Sequence, residues 1–175
     1  EKPIGKLARS IFGRVAAPWP FFPGRGTPRW ITEGLATWYE SSLTEAGRVR
    51  GTFHEMVLRT AALEGRLEGI GQTQGESPEG PAGARPYAYG SLFFDHLTDK
   101  YGTELMGAFA KAIAGQWIPY RINAAGRSAF GSSLSEEWSL WAEGIRAATA
   151  ELDSQLQRYG PVTTPERLTV GARWA

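Results

Sequence analysis

The chain has 175 residues, of which 42% are hydrophobic and 21% are charged, a composition typical of a folded globular protein. Lysine and arginine total 19 and aspartate and glutamate total 18, so the net charge of +1 gives no support for nucleic-acid binding. Cysteine is absent, which excludes disulfides, thiolate-bound metals and cysteine nucleophiles. No apolar run is long enough to predict a membrane-spanning helix.

The composition along the chain predicts three parts. Residues 1–26 form a lead-in segment rich in proline and aromatic residues, and its prolines 18, 20 and 23 are incompatible with a helix interior. Residues 27–160 are predicted to form a helical domain. Residues 161–175 are predicted to be a tail or a linker to a following domain, with one strand-like run at 166–174.

Within residues 27–160 the spacing of apolar residues predicts a mainly α fold with about five main helices and long loops rich in glycine and proline. Helix-start and helix-stop residues place these helices at Pro28–Leu43, at 51–64, at Pro86–Tyr101, after the cap residue Thr103, and from the capping box Ser133–Glu136 to about Tyr159. A shorter helix is predicted near Ala124–Phe130. The loop at 65–85 has a length typical of functional or mobile loops.

The two histidines of the chain do not predict a metal site. His54-Glu55 begins like the zinc motif HExxH, but position 58 is Leu58, and the motif needs a second imidazole one turn later on the same helical face. We therefore expect His54 to be an exposed or capping residue. His96 lies in an apolar helix and is expected to be partly buried and bonded to the backbone.

The most informative segment is Pro28–Glu40. Glu33 lies inside an otherwise apolar helix and is followed by Gly34, which lowers helix stability. Such a glycine indicates that something approaches this face of the helix closely. Two interpretations stay open: Gly34 serves a helix–helix contact while Glu33 pairs with an arginine, or Glu33 is a functional carboxylate.

The run Trp-Ile-Thr-Glu-Gly-Leu-Ala-Thr-Trp-Tyr-Glu at 30–40 resembles the second metal-binding helix of gluzincin metallopeptidases. The aminopeptidase N family carries a similar Trp-Leu-x-Glu-Gly-Phe-Ala-x-Tyr helix, and the resemblance implies that Glu33 is the third zinc ligand. Further along, Tyr87-Ala-Tyr-Gly90 resembles the Tyr-x-x-Gly of the same enzymes, in which the tyrosine hydroxyl stabilises the tetrahedral intermediate. This implies a catalytic role for Tyr87, with Tyr89 as the alternative because one sequence does not fix the register.

From about Ile11 to the end, the chain is most similar to bacterial peptidase-MA-like domains that are fused to a TolB-like β-propeller. The shared elements include Phe12–Arg14, Pro-x-Trp, Glu-Gly-Leu-Ala, Gly47-Arg48, Gln72–Gly75 and Tyr-x-Tyr-Gly. The resemblance implies the helical C-terminal half of a gluzincin-type catalytic domain. It also implies a peptide or protein substrate, a following propeller, and a location in the bacterial envelope, the periplasm or outside the cell.

The HExxH helix of the family is missing, because the residues before Glu33 contain no histidine. Either that helix precedes Glu1 or the protein has lost it, and we expect the chain to be a piece of a longer protein. Zinc is therefore expected in the intact parent, with none bound to this chain, which alone would be inactive. The alternative is a non-catalytic helical module that binds a peptide, a glycan or a neighbouring domain through the aromatic residues Trp19, Phe21, Phe22 and Trp117.

Overall fold

A computed structural model of the protein describes residues 26–44, 46–75, 80–116 and 120–161, together with residues 10, 163, 164 and 166. This part of the chain contains six α-helices, two 3₁₀ turns and no β-strand, so the predicted mainly α fold is confirmed. The helices are α1 (Arg29–Leu43), α2 (Thr52–Leu63), α3 (Arg85–Tyr101), α4 (Leu105–Ala114), α5 (Ile122–Phe130) and α6 (Leu134–Gln157). Nearly all of the lead-in segment and of the strand-like run at 166–174 lies outside the described residues.

The ends of the helices agree with the prediction to within a few residues, but two predicted helix starts are wrong. Pro28, which the sequence predicts as the first residue of α1, occupies its N-cap position, and Glu104 takes that position in α4 instead of Thr103. The capping box of α6 is confirmed, because the Glu136 backbone N–H donates to Ser133 Oγ at 3.2 Å. None of the helices described has the length and apolarity that a membrane span requires.

Helices α1 and α3 cross with their backbones in direct contact. A Cβ atom on Gly34 would lie 2.5 Å from Gly90 Cα, and a Cβ atom on Gly90 would collide with the Trp30 carbonyl oxygen. Neither glycine can therefore gain a side chain unless the two helices move apart. The crossing identifies the close approach that the position of Gly34 predicted.

An aromatic cluster holds this helix pair against α6. Trp30 is fully buried, and its ring centroid lies 5.8 Å from that of Phe93, 5.9 Å from that of Phe94 and 5.3 Å from that of Trp138. Edge-to-face and offset contacts of this kind add stability beyond the burial of apolar area. These aromatic contacts therefore pack the α1–α3 pair against α6.

The loop between α2 and α3 is part of this packing in its described stretches. The Arg29 backbone N–H at the start of α1 donates to Gln74 Oε1 at 3.0 Å, and Trp138 Nε1 of α6 donates to the Glu68 carbonyl oxygen at 3.0 Å. Gly75, with φ of +86°, lies so close to Pro86 that a Cβ atom would be 2.6 Å from its Cδ. The loop thus connects the N-terminal ends of α1 and α3 to α6.

Candidate functional site

Glu33 lies on α1 beside the crossing with α3. Its side chain is 33% exposed, and Oε1 lies 3.8 Å from Nη2 of Arg29, one turn earlier on the same helix. An ion pair this long and this exposed contributes little to stability. The arginine pairing that the sequence left open is therefore present, and it leaves the carboxylate accessible to solvent.

The two candidate tyrosines have different environments. Tyr89 is 1% exposed and stacks on Trp138 with 6.2 Å between ring centroids and 8° between ring planes. Burial raises the pKa of the Tyr89 phenol, and a hydrogen bond with the Glu68 backbone opposes that shift. Tyr87 is only partly buried. Of the two, Tyr87 has access to the surface, and Tyr89 is a core residue.

Glu33 and Tyr87 each lie close in sequence to a glycine at the crossing of α1 and α3. Glu33 precedes Gly34 by one residue, and Tyr87 precedes Gly90 by three residues, which is less than one helical turn. Each side chain therefore starts within one turn of the point where the two backbones touch. The two motifs that carry the family resemblance meet at this crossing.

A third motif, Gly47-Arg48, packs on the C-terminal half of α1. A Cβ atom on Gly47 would collide with Ser41. Ser41 Oγ accepts a hydrogen bond from the Val49 backbone N–H at 3.0 Å and donates to the Thr37 carbonyl oxygen at 3.0 Å. These contacts fix the 3₁₀ turn Arg48–Arg50 against α1 and so fix the position of the Arg48 backbone.

Arg48 connects this turn to the candidate tyrosine. Its Nη2 donates to Glu40 Oε2 at 2.6 Å, and its guanidinium carbon lies 5.3 Å from the centroid of the Tyr87 ring. A guanidinium at this distance is attracted to the face of an aromatic ring. Sequence reasoning missed this contact, although the glycine before Arg48 was a signal of close packing.

His54 is buried, so the prediction of an exposed or capping histidine is wrong. His54 is 3% exposed, and its Nδ1 lies 3.2 Å from Ser91 Oγ on α3. Burial and, to a smaller extent, the charge of Arg48 lower the pKa of His54, while Glu40 opposes the shift. His54 is therefore mainly neutral at pH 7, and its polar contact is with Ser91, next to Gly90 at the crossing.

His96 is partly buried, as predicted, but the expected bond to the backbone is not found at Nε2. This atom is enclosed and has no hydrogen-bond partner among the residues that the structure describes. Burial lowers the pKa of His96, and the charge of Glu137 opposes the shift. On a helical wheel His96 lies about 180° from Tyr87, so it does not belong to the site at the α1–α3 crossing.

The residues at the crossing do not form a metal site by themselves. The described part of the chain has no group of three or more histidine, cysteine, aspartate or glutamate side chains that could hold a metal ion. A catalytic zinc ion needs three protein ligands. Glu33 is one carboxylate next to Arg29, and His54 is bonded to Ser91, so these residues alone do not fit zinc.

A cavity of about 290 Å³ opens on the Tyr89 side of α3. Met56 and Val57 of α2 form an apolar wall, and Arg85 lies at the opposite side with its Nε 2.7 Å from Glu68 Oε1. This ion pair is largely buried and anchors the loop to the start of α3. Tyr89 is the motif residue that lines this cavity, whereas Glu33 and Tyr87 do not, so we do not assign the cavity to the candidate site.

Comparisons of the chain with protein-family models, with curated proteins and with solved structures find no match. The resemblance to gluzincins therefore stays a prediction that depends on the motifs. The aromatic contacts of the alternative binding module, Trp19, Phe21, Phe22 and Trp117, lie outside the described residues.

Proposed function

We propose that this chain is the helical half of a zinc-dependent metallopeptidase, to which it contributes the carboxylate of Glu33 and the hydroxyl of Tyr87. The contact between Gly34 and Gly90 carries this proposal. Because the two backbones touch, the helices that bear Glu33 and Tyr87 have little freedom to shift against each other. Catalytic groups need this kind of fixed mutual position.

The surroundings of Tyr87 suit the stabilisation of negative charge. A peptide carbonyl oxygen becomes negative as a nucleophile attacks its carbon, and a fixed hydroxyl donor stabilises that charge. The guanidinium of Arg48 lies over the ring of Tyr87, 5.3 Å from its centroid, as the cation of an ion pair with Glu40. Glu40 holds this guanidinium in place. Tyr87 therefore has a positioned cation as its neighbour, whereas Tyr89 is enclosed by the core.

The proposal assigns only one metal ligand to this chain. The remaining ligands would come from residues outside this chain. What this chain does is to present one carboxylate and one hydroxyl from two packed helices. The resemblance assigns peptides as the substrate class.

The test is the zinc content and the peptidase activity of the protein produced from its full reading frame. Glu33→Gln should lose bound zinc and activity together, because it removes a charged ligand without changing the size of the side chain. The matched control is Glu40→Gln, seven residues later on the same helix, which should keep its zinc. A Glu33→Gln protein with the zinc content of the wild type would overturn the proposal, as would a wild type that contains no zinc.

A further inference from the structure

A second concave surface runs between α2, α3 and α6, and it is separate from the site at the α1–α3 crossing. This groove has a volume of about 580 Å³. Its side on α6 extends from Trp141 to Gln155, which is about 21 Å along a helix. Its apolar floor is formed by Leu58, Leu92, Trp141, Ile145 and Leu152.

The apolar surface of α6 continues beyond the groove. Leu156 is 55% exposed and Tyr159 is 91% exposed. Leu156 follows Leu152 by four residues and prolongs the same face of α6, and Tyr159 lies two residues after the end of the helix. An apolar helix face that leads out of a groove, and that no described residue covers, is typical of a surface that binds another protein.

The polar lining of the groove is acidic. Four carboxylates line it, those of Glu55, Asp95, Asp99 and Glu151, whereas Arg59 is the single lysine or arginine among its described lining residues. Arg59 already pairs with Glu55 at 3.1 Å. Carboxylates therefore outnumber cations among the lining residues, and Arg50, which does not line the groove, acts on Asp95 from outside it.

Two of these carboxylates repel each other. Asp95 and Asp99 are one turn apart on α3. Burial raises the pKa of Asp95, and the negative charge of Asp99 raises it further. A hydrogen bond from Trp38 and the charge of Arg50 oppose this shift. His96 lies between them, and because burial lowers its pKa it adds no positive charge at pH 7. A cation that enters the groove would relieve this repulsion.

We propose that the groove binds an amphipathic helix of a partner protein, with leucine-like side chains on the apolar floor and lysine or arginine residues facing Asp99 and Glu151. A length of about 21 Å accommodates about 14 helical residues, and a helix in a groove between helices is a common mode of recognition. The sign of the charge selects a basic helix over an acidic one. The proposal does not depend on the peptidase assignment, because it uses other residues.

The test uses labelled synthetic helical peptides of about 15 residues, a length that matches the groove. One peptide has a leucine stripe flanked by lysines, and the other has glutamate in place of every lysine. Fluorescence anisotropy with the 175-residue chain should show the lysine peptide binding at least about 10-fold more tightly at low salt, and salt should weaken it. Equal binding of the two peptides, or no binding of either, would overturn the proposal.

Variants then locate the binding surface. The double variant Asp99→Asn, Glu151→Gln should weaken the lysine peptide by about 3- to 10-fold, because it removes two partly exposed charges. Leu152→Gln should weaken both peptides. The matched control Glu143→Gln lies on the same helix, is exposed and is outside the groove, so it should bind as the wild type does. If the double variant also binds as the wild type does, the groove is not the site.

Sedimentation of the same proteins tests a second copy of the chain as the occupant. The wild type should sediment as a monomer at the concentrations used for binding. A dimer that Leu152→Gln dissociates would assign the groove to self-association and would overturn the proposal. Circular dichroism of each variant shows whether the helices are retained, and only variants with the wild-type spectrum are compared.

Discussion

A Cβ atom added to Gly34 would lie only 2.5 Å from the Cα atom of Gly90. At this point the backbones of α1 and α3 therefore leave no room for a side chain between them. The glycines of both motifs are therefore explained by packing alone. The same contact also fixes the two helices that carry Glu33 and Tyr87. A structural role for the glycines and a functional role for their neighbours are thus compatible.

Alanine at either glycine should destabilise the protein. Gly34→Ala or Gly90→Ala forces the two helices apart, and we expect a loss of about 1–3 kcal/mol in the free energy of unfolding even though alanine favours helix. Gly144→Ala in α6 is the control, because no described atom lies within 4 Å of its added Cβ. Gly144→Ala should stabilise the protein by about 0.5–1 kcal/mol. Denaturant unfolding measures all three, and equal stability of Gly34→Ala and Gly144→Ala would contradict the described contact.

The two tyrosines should respond differently to the loss of their hydroxyls. In the full-length protein Tyr87→Phe should keep zinc and stability but lower kcat by about 100- to 1,000-fold, because one donor to the reacting oxygen is lost. Tyr89→Phe should leave kcat unchanged and cost about 1 kcal/mol of stability, since it removes a hydrogen bond with the Glu68 backbone. Steady-state kinetics with thermal unfolding separates the two. A large loss of kcat in Tyr89→Phe, with none in Tyr87→Phe, would assign the catalytic role to Tyr89 and shift the alignment with the family motif by two residues.

The 175-residue chain alone should bind zinc no better than an ordinary acidic surface does. Glu33 is one ligand, and His54 is buried against Ser91 and faces a different partner. Titration calorimetry should give no stoichiometric site. A single tight site in the submicromolar range would show that a histidine rearranges towards Glu33, which the described packing opposes.

The helices could be predicted from the sequence because their signals are local: apolar spacing, the capping box at Ser133 and the glycine that ends α3. The sequence did not, however, predict which face of α2 points towards the core. The sequence predicts an exposed or capping His54, yet His54 is 3% exposed and its neighbour Phe53 is 53% exposed. His54 packs on α3, where its Nδ1 lies 3.2 Å from Ser91 Oγ, and this contact is between distant parts of the chain. For the same reason Gly34 predicted a close approach without identifying Gly90.

The stability of the protein should decrease between neutral and mildly acidic pH. The pKa values of both His54 and His96 are lowered in the folded state, in each case mainly by burial. The unfolded chain therefore binds these protons more readily, so the stabilisation is complete above about pH 6.5 and falls as the pH decreases towards the lowered folded pKa values. Thermal unfolding from about pH 7.5 to about pH 5.5 measures the effect.

A His54→Gln variant keeps a hydrogen-bonding side chain but does not titrate, so its melting temperature should depend less on pH over this range. Asp95→Asn is the counterpart, because the pKa of Asp95 is raised and its protonation favours the folded state as the pH falls. Below its raised folded pKa the wild type gains stability from this protonation, and the Asp95→Asn variant should lack that gain. A melting temperature that stays constant or rises on acidification would contradict the prediction.

Glu137 should be the strongest polar contact between α3 and α6. It is 2% exposed, and its two carboxylate oxygens accept hydrogen bonds of 2.7 Å from Lys100 Nζ and from the Tyr101 hydroxyl. Burial alone raises the pKa of Glu137, but these hydrogen bonds outweigh it, and the pKa lies below its usual value. The stabilisation is therefore complete above about pH 4.5 and is lost as the pH falls through the lowered folded pKa. Tyr101→Phe should cost about 1.5–3 kcal/mol, as expected for a hydrogen bond to a buried charge.

The matched comparison is a double-mutant cycle of Tyr101→Phe with Glu137→Gln, followed by chemical denaturation. Because both substitutions disrupt the same hydrogen bond, the double variant should be less destabilised than the sum of the two single variants. Glu137→Gln should also remove the part of the acid sensitivity that lies below about pH 4.5. Additive losses would mean that the hydroxyl and the carboxylate do not interact in solution, and α3 and α6 would then depend on their aromatic contacts alone.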